Sequence, residues 1–525
     1  MQNKKKLFVI NLLFSIVLPC IVLLVSWLFE AKRVGTSLIL PYPQEVLSKF
    51  FQLIKTLTFW HLLGVTTFRV IFSFVISFCL SSLLGIGAGK YHRFNQFLSF
   101  PMSIIKATPV VSFILMAIFW FSTNFVPVFI GVLMTLPLMT GGVISGIQNI
   151  DKNLVDMCSI YNFTKKQKFH SLYLPSIMQY IQNAVLTSFS LTWKVVVASE
   201  IIALPKISVG AALYQGKVQI ETASVFAWTL SIVLCSFFLE NLLSIPLKRI
   251  TVYRVQTESQ AFSFQHSESK KDHIFVSSTN TVSTGISVYN LSIVRGSKPL
   301  YKNFSVTFEP NTVTALIAPS GAGKTTLFDC IVNLLKPDSG KVIIKNNMKK
   351  EIKTTISYLF QEPRLLPSRS ILQNIELPLL NVMNQKNARM RALHYLGRVG
   401  LESKVFSNVE ELSGGEKQRA SLARAFAYPS NILLMDEAFQ SQDIRLKLHL
   451  GKLFKSLLKD EPKTVVMVTH DIHEAISLAD RILVLDQTPL QIKLDEPVAK
   501  RGDNTKETAS RLVTLEQKIE KVFLS

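Results

Sequence analysis

The chain reads as two folds in series, an all-α six-helix transmembrane domain followed by an α/β phosphate-loop domain. Three observations predict this. Charge is uneven: residues 1–250 carry 20 Lys+Arg and 7 Asp+Glu, while residues 251–525 carry 37 and 28. The first half contains long runs without any charge. The second contains APSGAGKTT at the end of a short apolar run, residues 313–318. The 525 residues are 48% apolar and 18% charged, against roughly 25% charged in an ordinary soluble domain. A single small soluble fold, a disordered chain and a collagen-like fibre are thereby excluded.

A spanning helix takes about 20 mainly apolar residues. Residues 7–29 are uncharged and follow Lys4, Lys5 and Lys6. This run exceeds the roughly 7–15 apolar residues of a signal peptide and lacks a small-residue cleavage site, so it is expected to stay as the first span. Residues 70–89 form a second. Residues 107–150 carry no formal charge and suit two spans, turning at Ser122-Thr123-Asn124 before Pro127. Residues 181–204 and 222–245 complete six crossings. If the Lys4 end is inside, the inner loops hold Lys90, Arg93, Lys152, Lys165, Lys166, Lys168, Lys248 and Arg249, and the outer segments fewer Lys and Arg. That bias follows the positive-inside rule and puts both termini in the cytoplasm. It also accounts for the net charge of +22 without nucleic acid as a partner. Pro41 and Pro43 precede Val46, Leu47, Phe50, Phe51, Leu53 and Ile54, a one-sided pattern expected to lie along the outer membrane surface.

Two charges fall inside the fifth span, Lys194 and Glu200. Such groups are costly in hydrocarbon and by default mark a functional, water-lined or paired position; the plainer reading is a snorkelling Lys194 and an interfacial Glu200. Six residues apart, they do not share a helix face and are not paired with each other. Lys194 is the candidate translocation residue. The five cysteines are scattered with no CxxC spacing, which predicts neither a disulfide framework nor a zinc site.

The inner loop reads DMCSIYNFTKKQKFHSLYLP from Asp156 to Pro175. It resembles the EAA loop of bacterial ABC importer permeases, with Asp156, Asn162, Leu174 and Pro175 at corresponding spacings. Met157 and Cys158 replace two alanines, and Asn162 replaces a glycine. Asn tolerates a left-handed backbone, so a helix-turn-helix remains expected. LPYPQEVL, KATPVV and TWKVVVASEI are similar to permeases of the nitrate, sulfonate and taurine importer group.

In the second half, APSGAGKTT fits the phosphate-loop pattern GxxxxGK[ST], with Ala318 in the place of the first Gly. Ser320, Gly321, Ala322, Gly323, Lys324, Thr325 and Thr326 are the candidate phosphate cradle: backbone N–H groups and the following helix's positive end gather phosphates. Lys324 neutralises their charge and Thr325 offers a hydroxyl to Mg²⁺. Then follow Gln361 in YLFQEPRLLP, Ser413, Gly414 and Gly415 in LSGGEKQRA, Asp436 and Glu437 ending ILLMDE, and His470 in VTHD. Together these resemble the ABC ATPase family. Asp436 at a strand tip is expected to hold Mg²⁺ and Glu437 to polarise the attacking water. The resemblance implies that His470 contacts the γ-phosphate, that Gln361 senses Mg²⁺ and water, that the Ser413–Gly415 element closes on the ATP of an opposite subunit, and that Asp443 is a further nucleotide-binding residue. Three departures stand out. Arg295 falls where an aromatic usually stacks on adenine, leaving Arg295, Tyr301 and Tyr289 as alternatives. Ala438 replaces a proline, and Gln440-Ser441-Gln442 alters the loop before Asp443.

The expected organisation is therefore a permease domain over residues 1–250, a flexible linker over 251–285, an ATPase domain over 286–490 and a C-terminal extension over 491–525. The resemblance implies an ATP- and Mg²⁺-dependent importer of a small organic solute or anion in a prokaryotic cell membrane. Its partners would be a second copy of the chain (or a related chain) and an external solute-binding protein. The alternatives are an exporter half-transporter, for which this domain order is usual, and an ATP-driven membrane regulator. Short inner loops and the EAA-like segment favour import.

Overall fold

Hydrophobic runs and chain-breaking residues divide the first half into helices. The structure, a computed structural model, describes residues 18–261, 283–295, 298–319, 322–346, 355–440, 443–486, 489–498 and 506–524. It comprises two units: Met1–Ile150 with Ser176–Thr251, and Asp151–Pro175 with Val252–Ser525. The loop Asp151–Pro175 thus lies inside the first half in chain order but packs with the second unit.

The first unit is all helical. Among the described residues, Leu57–Lys90, Val126–Gln148, Lys165–Ala203 and Thr222–Leu247 are long and apolar enough to cross a membrane. Residues 7–17 of the first expected span lie outside the described residues, and its remainder belongs to the helix Leu18–Val34. Residues 107–150 hold two helices, Val110–Trp120 and Val126–Gln148, that turn at residues 122–124 as expected, but the first is too short to span alone. His92–Ala107 and Val110–Trp120 meet at a 100° bend, and only as one broken span would they make a fifth crossing. The cause is local. Pro109 crowds the residue before it out of the helical region, and Thr108 takes φ −80°, ψ 132°. The second span also starts earlier than expected, at Leu57, and so includes Arg69.

Aromatic side chains fill the helical core. Phe74 meets Phe189 edge-to-face at 5.2 Å, and Phe59 stacks on Trp228 at 5.0 Å. Gly142 lies so close to Ala184 that a side chain there would collide, the small-residue approach that packs apolar helices. Phe68, Leu83, Phe237 and Phe238 instead face outward, as lipid-facing residues do.

The second unit is α/β. β1 (Thr284–Arg295), β2 (Lys298–Phe308) and β4 (Ser339–Asn346) form an antiparallel sheet ordered β2-β1-β4. β3 (Val313–Ile317), β5 (Ile356–Leu359), β6 (Ile432–Asp436), β7 (Thr464–Thr469), β8 (Arg481–Asp486) and β9 (Gln491–Pro497) form a second, ordered β5-β6-β7-β3-β8-β9. Its first five strands are parallel and β9 is antiparallel to β8. β3 and β7 are buried along their whole length, the continuous apolar signature of a parallel sheet covered on both faces. Two expected boundaries shift. The helix Thr222–Ala261 runs into the stretch read as linker, and residues 262–282 lie outside the described residues. β9 takes the start of the expected C-terminal extension into the sheet, because its backbone completes the β8 edge.

Candidate functional site

The parallel strands deliver their carboxyl ends to one region of the second unit, where phosphate ligands gather in open α/β sheets. β3 leads through residues 318–323 into the helix Lys324–Ile331; Ser320 and Gly321 lie outside the described residues. Gly323 turns at φ +100°, a conformation glycine adopts at no steric cost. Ala322 N–H donates to Pro319 O at 3.3 Å, and Thr326 is half-buried in the first helical turn. The buried Lys324 Nζ donates to Ala318 O at 2.7 Å and Pro319 O at 3.3 Å. It also stands 3.4 Å from Glu437 Oε1. Its ammonium is thus held at the loop by two carbonyls and a carboxylate.

Thr325 Oγ1 donates to Asp436 Oδ2 at 3.1 Å, and Tyr358 OH donates to the same oxygen at 3.2 Å. Burial raises the Asp436 pKa, opposed by these two hydrogen bonds and by Lys324. Thr325 and Asp436 form an all-oxygen donor pair, the chemistry that suits Mg²⁺.

Glu437 adopts φ +46°, a left-handed backbone costing about 1–3 kcal/mol in a non-glycine residue and typical of functional sites. Its N–H donates to Val468 O at 3.0 Å, and its Oε1 lies 3.9 Å from His470 Nδ1. With its amide turned to satisfy its neighbours, Gln440 donates to Glu437 Oε2 at 2.7 Å and accepts from His470 N–H at 3.1 Å. Gln440 registered in the sequence only as a departure from the usual loop. The fold makes it the link between Glu437 and His470.

The remaining sequence-predicted residues are more dispersed. Gln361 is exposed past β5, with no hydrogen bond to Asp436 or Thr325 among the described residues. Ser413 caps the helix Gly414–Ala427 in a capping box with Glu416, leaving Gly414 facing open space. The Lys404 ammonium, with Ser413, holds the Glu416 pKa down to about 2. Asp443 caps the helix Ile444–Asp460 by accepting from Leu446 N–H at 3.0 Å. Of the three adenine candidates, Tyr301 is buried with its hydroxyl on Gly323 O at 3.0 Å, a support beneath the phosphate loop. The Tyr289 hydroxyl is bonded to Lys345 Nζ at 2.6 Å. Arg295 is exposed at the end of β1, close enough to act on the Asp329 pKa.

The loop Asp151–Pro175 forms a helix-turn-helix, as its Asn allows. Asn162 takes φ +54° after the helix Lys152–Ile160, and Phe163 N–H returns to Cys158 O at 2.8 Å, a left-handed helix ending. Tyr161, Asn162 and Gln167 then meet the ATPase-type fold. Tyr161 OH donates to Tyr358 O at 2.9 Å, Asn162 Nδ2 to Tyr428 OH at 3.3 Å, and Gln167 Nε2 to Leu377 O at 3.1 Å. Burial raises the Asp329 pKa, and the charge of Asp156 adds to that rise.

Leu174 and Pro175 act through the backbone. Phe169–Tyr173 is a π-turn that Leu174 N–H closes onto Phe169 O. Pro175 has no N–H to return to the Ser171 carbonyl four residues back. That carbonyl accepts from Ser368 Oγ at 2.9 Å, while Arg369 donates to His170 O at 3.1 Å. The Leu-Pro pair thereby turns helix backbone into a docking surface. Asn162→Val, which places a β-branched residue in the left-handed region, is expected to cost about 1–2 kcal/mol. It should lower solute moved per ATP hydrolysed while Asn162→Gly stays near the parent; parallel measurements of uptake and hydrolysis check this.

In the first unit Lys194 is exposed between buried Trp193 and Val195. Glu200 is fully buried and pairs with Arg69 at 2.8 Å, so it is not a lone charge. The sequence reading missed Arg69 because it precedes the uncharged run taken as the second span.

Comparison with known proteins agrees with this geometry. The family model described as ABC transporter matches residues 301–440. The one described as binding-protein-dependent transport system inner membrane component matches residues 78–252. The aliphatic sulfonates import ATP-binding protein SsuB of Zymomonas mobilis is 38% identical over 39% of this chain and 82% of its own length. SsuB 1 of Mesorhizobium japonicum is 35% identical over 39% of this chain and 77% of its own. The formylaminopyrimidine import ATP-binding protein ThiZ of Halalkalibacterium halodurans is 31% identical over 43% and 91%. An integral membrane half of the permease kind and a nucleotide-binding, ATP-hydrolysing half are therefore joined in one polypeptide, and the chain belongs to the ABC transporter family as an importer.

Proposed function

We propose that two copies of this chain assemble about a two-fold axis into a complete importer. It takes a small anionic or polar organic solute, of the sulfonate or formylaminopyrimidine class that the relatives' names describe, from an external solute-binding protein. The observation that carries this reading is the docking of the loop Asp151–Pro175 on the ATPase-type fold through Tyr161, Asn162, Gln167 and the Ser171 carbonyl. That loop continues directly into the helix Leu174–Ala203, so any movement of its seat pulls on a candidate span. The positive-inside bias supports a cytoplasmic ATPase unit and cytoplasmic termini.

In this scheme Lys324 and the loop's N–H groups bind the phosphates, and Thr325 and Asp436, with Gln361, hold Mg²⁺. When bound, the ion neutralises charge that develops on the transferring phosphoryl group. Glu437, steadied by Lys324 and Gln440, accepts the proton of the attacking water, and His470 steadies the γ-phosphate. The Ser413–Gly415 helix start and Asp443 face the nucleotide of the opposite copy, so one chain alone is an incomplete site. ATP binding closes the two ATPase units and hydrolysis releases them, a two-state change driven by differential contacts. The adenine-facing side chain is Arg295 or Tyr289, since Tyr301 lies beneath the loop.

Reconstitution in vesicles with candidate binding proteins and labelled alkanesulfonate tests the direction. Uptake that requires both ATP and a binding protein is expected; ATP-driven efflux without one would overturn it. In the same assay Lys194→Ala is expected to raise the KM for an anionic solute about tenfold, the worth of one charge-assisted hydrogen bond, and to spare a neutral one. An unchanged KM removes Lys194 from the path.

A further inference from the structure

β5 is an end strand of the six-stranded sheet, paired on one side with β6. Backbone groups at such an edge need partners. At Tyr358 both are met by one side chain from the docked loop. Tyr161 OH donates to Tyr358 O at 2.9 Å and accepts from Tyr358 N–H at 3.4 Å. Tyr161 is fully buried and lies edge-on to Tyr428 at 5.1 Å, while the Arg424 guanidinium stands over its ring at 5.2 Å. Arg424 in turn donates to Pro363 O and Arg364 O, just past Gln361. The phenol is therefore clamped where it meets the strand.

On the same residue, the Tyr358 side chain points to the chemistry. Its ring is held by stacking on Phe360 at 4.2 Å and by the edge of Phe328 at 5.8 Å. Its hydroxyl donates to Asp436 Oδ2 at 3.2 Å. Thr325 donates to the same oxygen, but Thr325 belongs to the metal set, so Tyr358 is the donor that stays with the carboxylate when the ion binds. One residue thus has its backbone on the docked loop and its hydroxyl on Asp436.

We propose that Tyr358 is a positioning residue that joins Tyr161 of the docked loop to Asp436, so that the seating of the loop sets how the Asp436 carboxylate is presented to magnesium. The inference rests on reading Asp436 as the magnesium carboxylate. Loss of the hydroxyl lets Asp436 rotate and weakens the ion's grip without touching the phosphate cradle. Loss of the Tyr161 hydroxyl frees the strand edge and reaches Asp436 only through Tyr358.

The test uses full-length protein in lipid nanodiscs carrying Glu437→Gln, with a fluorescent ATP analogue titrated at graded Mg²⁺. Tyr358→Phe keeps the stacked ring. It is expected to raise half-saturating Mg²⁺ about fivefold, the factor of one net hydrogen bond, with binding in EDTA unchanged. Tyr161→Phe should shift it the same way by less, and adding it to Tyr358→Phe should shift it no further. Asp436→Asn is the control. If Asp436→Asn moves the Mg²⁺ curve and Tyr358→Phe leaves it on the parent's, the inference falls while the magnesium assignment stands. If Asp436→Asn moves nothing, the assignment itself is wrong. Should Tyr358→Phe fail to fold, Tyr161→Phe carries the test, and a curve identical to the parent's overturns the link.

Discussion

Glu437→Gln is expected to lower steady-state ATP hydrolysis by about 100-fold or more, the usual share of a general base, while nucleotide binding persists. The substitution is nearly isosteric. Glu437 sits between Lys324 at 3.4 Å and His470 at 3.9 Å on a left-handed backbone that a side-chain exchange does not alter. An amide keeps the oxygen that faces Lys324 but cannot take a proton from water. It also removes a carboxylate that competes with phosphate for the Lys324 ammonium, so ATP affinity should hold or rise. Single-turnover hydrolysis and equilibrium nucleotide binding on the same preparation separate the two effects. Turnover close to the parent's would take Glu437 out of the role of base.

The residues around Glu437 also show what a sequence discloses. The phosphate loop, Asp436, Glu437 and His470 are legible because strand ends and the turns after them are set by local spacing. Asn162 is legible for the same reason, since a left-handed ending depends on one residue's backbone. Gln440 is not, because its meaning arises only when the ends of β6 and β7 lie side by side. Tyr161 and Tyr358 are 197 residues apart, and Arg69 and Glu200 131 apart. Periodicity says which face of a helix is buried, never which distant residue it meets. Hydropathy likewise reports the apolar run around Pro109 but not its 100° bend, because counting apolar residues is blind to backbone direction.

Glu200→Ala is expected to be the most destabilising single change in the helical unit. Glu200 is fully buried, and its carboxylate accepts from Arg69 Nη1 at 2.8 Å, Thr66 Oγ1 at 3.0 Å and Gly210 N–H at 3.2 Å. Arg69 also donates to Ile207 O at 2.9 Å and Asn124 Oδ1 at 3.3 Å, and Thr66 Oγ1 accepts from Val209 N–H at 3.0 Å. Helix Leu57–Lys90, helix Leu174–Ala203, the start of helix Val209–Val218 and the turn before Val126 thus share one ionic node. Truncation leaves the Arg69 guanidinium without its counter-charge and the Gly210 N–H without its acceptor in a largely buried site. Breaking one side of such a pair costs about 3–5 kcal/mol, a large part of the 5–15 kcal/mol that holds a typical domain together. The unfolding midpoint in detergent should fall sharply and membrane yield with it. Removing both charges, as Arg69→Met with Glu200→Leu, should recover much of the loss, because a packed apolar pair avoids the desolvation of two ions. Gly210→Ala should fail alongside the single variant, since its Cβ would run into the Glu200 side chain and backbone. A Glu200→Ala midpoint equal to the parent's, or a double variant no better than the single, would mean the node carries little of the fold's stability.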